Sequence, residues 1–132
     1  MEQINSNYIE TYMQLEGLLS QQVDLQCNTD FLSFVRLMAP QIVSDFRMGR
    51  HIEVISDKLQ KVESGEIKRL MVFLPPRSSK SVVCSKLFPA WYVGRNPEHE
   101  LLTISHSDQL ASDFGRSVRD IVNTEEFKKV LK

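Results

Sequence analysis

The sequence predicts an α/β chain in which a helical lead-in precedes a βαβ unit with parallel strands. Three observations carry this expectation. Apolar residues recur at helical spacing as far as Val62. The period is then lost in two short apolar runs, 68–74 (KRLMVFL) and 101–106 (LLTISH), and a helical stretch separates those runs.

The elements follow in order. Ile4, Tyr8, Tyr12, Leu15 and Leu19 stand three or four apart and predict a first helix with one apolar stripe. Thr29 or Asp30 caps a second helix through Phe31, Phe34, Val35 and Met38, which Pro40 interrupts. The third carries Ile52, Ile55, Leu59 and Val62, has Lys58 and Lys61 toward its C-terminal end, and stops at Gly65. The run 68–74 reads as a buried strand ended by Pro75 and Pro76. A helix from about Lys80 then includes Val83, Leu87 and Trp91, with Pro89 as a kink or break. After a turn at Asn96-Pro97, the run 101–106 reads as a second buried strand. Ser107 or Asp108 caps a helix with Leu110, Phe114, Val118 and Ile121, and Thr124 with Glu125 and Glu126 opens a last one. The crossover between the two strands should be right-handed, with helices covering them.

Composition bounds what such a chain can be. Its 132 residues suffice for one folded domain with a core, and a formal charge of −1 marks no dedicated nucleic-acid module. Residues 1–65 hold 5 basic and 9 acidic side chains, whereas residues 66–132 hold 11 and 8, so the second half is mildly basic and suits a phosphate-containing ligand. No apolar run approaches a membrane span, and the N-terminus lacks a signal-like core, which predicts a cytosolic protein. Cys27 and Cys84 form no disulfide framework, and with His51, His99 and His106 they have no metal-ligand spacing. Adjacent Ser105, His106 and Ser107 would alternate faces on a strand, which argues against a hydrolase triad. Trp91 and Tyr92 read as core rather than a base-stacking platform. For Arg116 and Arg119, solvent or pairing with Asp113 and Asp120 is the preferred reading.

The chemistry concentrates at the end of the first run. A tight loop with Lys-Ser at the mouth of a helix is the layout of a phosphate-binding loop: backbone N–H groups face the phosphates, the Lys reaches the β- and γ-oxygens, and the Ser hydroxyl meets Mg²⁺. Lys80 and Ser81 occupy those places, while Leu74 and Ser79 stand where the general pattern has glycines. A Cβ at Ser79 either crowds the ligand or is tolerated with φ negative, so nucleotide binding should be weaker than with Gly there.

Taken together, Pro75, Pro76, Arg77, Lys80 and Ser81, then Phe88, Pro89, Trp91, Gly94, Arg95 and Pro97, then Ser107, Ala111, Phe114, Gly115 and Arg116 resemble the N-terminal ATPase region of tailed-bacteriophage terminase large subunits, with a lead-in helix through His51, Ile55, Leu59 and Gly65. The resemblance spans about residues 30–128, and order and spacing carry it rather than any single motif. It implies residues 1–28 as an N-terminal helical segment and residues 29–132 as the N-terminal portion of a P-loop ATPase domain. It further implies ATP with Mg²⁺ as ligand, Pro76, Arg77, Ser78, Ser79, Lys80 and Ser81 as the nucleotide-binding residues, Lys80 and Arg77 as the catalytic pair, and Ser81 as the Mg²⁺ contact through the nucleotide. Portal, small terminase subunit and double-stranded DNA are the implied partners, and the host cytoplasm the implied location.

A working ATPase of this kind also needs an apolar strand ending in Asp-Glu, and no such run occurs, nor do the clustered acids of a terminase nuclease. The expectation is therefore an incomplete ATPase core: a shortened chain, one part of a split motor that a second chain completes, or a remnant. By itself it should bind Mg-ATP weakly and hydrolyse it slowly or not at all. The alternative is a non-catalytic interaction module that docks on a packaging motor.

Overall fold

The computed structural model describes residues 2–131, with side chains from Tyr8 onward. Its elements are α1 (Glu2–Thr29), α2 (Phe31–Ile42), α3 (Arg50–Glu63), α4 (Lys80–Val82), a π turn (Val83–Leu87), α5 (Phe88–Arg95), α6 (Asp108–Val122) and α7 (Glu125–Val130). Helix accounts for 69% of the chain, and no strand or sheet occurs among the described residues. The α/β expectation, with its βαβ crossover and two parallel strands, is thereby overturned.

The physical reason lies in the two apolar runs. A strand exists only through a neighbour that pairs its N–H and C=O groups. No backbone group of residues 68–78 or 100–106 enters a main-chain hydrogen bond among the described residues. In the first run the side chains alternate, as along an extended chain. Leu70, Val72 and Leu74 lean on the core, while Met71 and Phe73 are 82% and 85% exposed. In the second, Leu102 and Ile104 are 84% and 81% exposed. The first run is covered on one side only and the second is largely exposed, and neither has a pairing neighbour, so they do not form the covered strands expected of them.

The helices follow local signals. Asp30 caps α2, its carboxylate accepting from the Ser33 N–H at 2.7 Å. Ser107 and Thr124 do the same for α6 and α7. α3 ends at Glu63, and Gly65 follows with φ +79°, the left-handed stop that its type permits. Pro40 lies inside α2, which runs two residues past it, so it does not interrupt the helix as expected. Pro89 shapes its surroundings differently. Lacking an N–H, it cannot close an i to i−4 bond, and the turn before it widens to π geometry, with the Phe88 N–H bonded to the Val83 carbonyl. Residues 80–95 thus run as one continuous helix.

That helix is the axis of the core. Val83, Leu87, Ala90 and Trp91 are fully buried against Phe31, Phe34 and Met38 of α2 and Ile52 of α3, with Ile121 and Phe127 closing the far side. Trp91 is core, as expected, and its Nε1–H donates to the Cys27 carbonyl at 3.1 Å. Arg95 ties three elements together. It stacks over Trp91 at 4.8 Å, pairs with Glu63 at 3.1 Å and donates to the Asn28 carbonyl at 2.6 Å, near the C-terminal end of α1. Gly94 lets α7 approach, since a Cβ there would stand 2.8 Å from Phe127 and 2.9 Å from Leu131. The Gly-Arg pair is thus a packing device in this fold.

Candidate phosphate-binding loop

The loop is set by what flanks it. Leu70, Val72 and Leu74 rest on the core, and Pro75 and Pro76 carry no N–H, so the chain leaves that surface without a bonding partner and turns into residues 77–79. Arg77 (φ +62°) and Ser79 (φ +58°, ψ +14°) both take the left-handed region. An L-residue pays roughly 1–2 kcal/mol for that conformation. Of the two outcomes open to a Cβ at Ser79, tolerance through a negative φ does not occur: the backbone adopts the glycine-type conformation with a side chain in place.

The turn leaves donors free. The Ser79 carbonyl accepts from Val83, whereas the N–H groups of residues 78–82 have no main-chain acceptor. They stand at the N-terminus of the 16-residue helix 80–95, where the helix dipole favours an anion. Residues 74–82 line a cleft of about 390 Å³. The six residues expected of the site, Pro76, Arg77, Ser78, Ser79, Lys80 and Ser81, are consecutive and lie within that lining, beside Leu74, Pro75 and Val82.

Electrostatics point the same way. No Asp or Glu lies between residues 67 and 97, a stretch with six basic side chains including Arg77 and Lys80. Neither Arg77 nor Lys80 has an ion-pair partner among the described residues. The Ser78 Oγ is buried in the loop and makes no hydrogen bond among the described residues. One turn beyond Lys80, burial pushes the Cys84 thiol above its usual pKa while the Lys80 ammonium opposes the shift. The acid-free stretch was the sequence signal for this site beyond the Lys-Ser pair; the unpaired N–H groups had none.

The donor set limits what metal the cleft could hold. Its only oxygen side chains are the three serine hydroxyls, and no group of three or more metal-binding side chains occurs among the described residues. Mg²⁺ fits as an ion carried by nucleotide phosphates and touched by Ser81, not as a resident metal. Arg116 and Arg119, exposed on α6, pair with Asp113 and Asp120 at 3.4 and 3.3 Å, in line with the preferred reading. Ser107 is spent on its helix cap, so the Ser-His-Ser run builds no triad.

Comparison of the chain with protein-family models, with curated proteins and with solved structures finds no match.

Proposed function

We propose that residues 75–82 bind the phosphates of ATP, as its Mg²⁺ complex, and that the chain is the nucleotide-binding portion of a DNA-packaging motor like the terminase large subunits. The observation that supports this best is the row of N–H groups at 78–82 without acceptors, beside two unpaired cations and no carboxylate. Two left-handed non-glycine residues in one loop strengthen it, because backbone strain collects where a ligand must be held.

In this reading the N–H groups and Lys80 take the β- and γ-phosphates, Ser81 meets the Mg²⁺ that the nucleotide brings, and Arg77 reaches the γ-phosphate from the loop crown. The cleft has no carboxylate to activate water, so turnover is slow or absent. Packaging, and portal, small subunit and DNA as partners, rest on the resemblance alone.

Calorimetry with Mg-ATP tests the assignment. Lys80→Ala removes a charge-assisted contact worth about 1.5–3 kcal/mol and should weaken binding at least tenfold. Hydrogen exchange should show ATP-dependent protection across residues 78–82; equal protection in Lys80→Ala sinks the reading.

A second reading, a non-catalytic module that docks on a motor, is favoured by the exposed Met71, Phe73, Leu102 and Ile104. Association with a motor that ignores Lys80→Ala would select it.

A further inference from the structure

One stretch of chain makes the cleft at 74–82: its lining is consecutive, and no other part of the chain supplies a wall among the described residues. What that stretch offers is addressed to anionic oxygen. Arg77 and Lys80 bring charge, the N–H groups of 78–82 are free donors, and the Ser78 Oγ is a buried hydroxyl without a partner among the described residues.

Nucleotide bases differ in the amino and keto groups on their edges. Reading those takes fixed amide or carboxylate partners, with aromatic rings to hold the base in place. The lining contains no Asn, Gln, Asp or Glu and no aromatic ring. Its three serine hydroxyls donate and accept alike, so they meet an amino or a keto group equally well. A second cleft of about 430 Å³, between α3 and residues 70–74, shares Leu74 with the first. It offers apolar side chains with Arg50 and Lys58 as its cations. His51, the one ring there with nitrogens on its edge, is folded back onto Gly49, where a Cβ would stand 2.8 Å from its Cε1. A base reaching that cleft would be held by its face on Phe73, which is 85% exposed, and such stacking is tolerant because every base has a π-face.

We infer that, given the phosphate-loop reading on which this rests, the site selects the triphosphate and not the base, so that nucleoside triphosphates of adenine, guanine and cytosine bind alike. The magnitudes separate the two cases. A site that hydrogen-bonds one group of its substrate rejects an analogue lacking that group by about 10⁴–10⁵, whereas contacts to the phosphates are common to all three nucleotides.

Calorimetry on the full chain with Mg-ATP, Mg-GTP and Mg-CTP, and competition by Mg-tripolyphosphate, tests this. The three dissociation constants should agree within about tenfold, and tripolyphosphate, which has no base at all, should displace bound Mg-ATP. Lys80→Ala should weaken all three nucleotides by the same factor, at least about tenfold. A preference for any one nucleotide above about tenfold, or bound Mg-ATP that tripolyphosphate does not displace, overturns the inference. If ATP binding then still depends on Lys80, the phosphate-loop reading survives without it. Binding of none of the four overturns both.

Discussion

Ser79→Gly tests how the loop is held. Serine at φ +58° carries roughly 1–2 kcal/mol of left-handed strain, which glycine does not. Glycine in turn loses about 0.5–1 kcal/mol more backbone entropy on folding. The difference predicts a net stabilisation of about 0.5–1 kcal/mol, or a rise of about 2–5 °C in the thermal midpoint for a chain of this size. Urea unfolding followed by circular dichroism measures it, with an unchanged m-value required. Ser81→Gly, two residues on and inside the helix, supplies the opposite sign, a loss of about 0.5 kcal/mol. Arg77→Gly separates strain from charge: it relieves φ +62° and stabilises the fold, yet weakens Mg-ATP binding, whereas Ser79→Gly raises both stability and affinity. If Ser79→Gly and Ser81→Gly both destabilise, the left-handed assignment is wrong and the reasoning about the cradle fails with it.

Two further substitutions probe the core. Gly94→Ala should cost about 1–3 kcal/mol in urea unfolding, because its Cβ would meet Phe127 at 2.8 Å and Leu131 at 2.9 Å and push α7 off the central helix; an unchanged midpoint would mean that α7 is not held there. The Ser56 hydroxyl is fully buried in α3 with no hydrogen-bond partner among the described residues, so Ser56→Ala should leave stability unchanged or raise it by up to about 1 kcal/mol, and a clear loss would show that the hydroxyl is satisfied.

Most helices were legible because helix signals are local. Asp30, Ser107 and Thr124 accept from N–H groups three residues away, and Gly65 turns the chain with its own φ. The loop was legible in part: Lys80 and Ser81 mark a helix start and Arg77 a nearby charge, but the sign of φ at Ser79 depends on the path that the preceding prolines and the core leave open. The runs 68–74 and 101–106 were misread, since apolar composition says that a segment would gain from burial and not that a neighbour is there to bury it.

The sequence by itself determined the caps and the glycine stop that bound several helices, which residues are apolar, and that a Lys-Ser pair follows two prolines in a stretch without acids; it did not show that α2 runs past Pro40 or that 80–95 runs on through Pro89. Only the tertiary structure decided that the apolar runs stay unpaired, that the α1 stripe faces outward, and that Trp91 and Arg95 close the core around one central helix. The division is physical. Caps and turns are closed by residues three or four apart, whereas burial and strand pairing depend on partners far away in the chain, here 64 residues between Trp91 and Cys27.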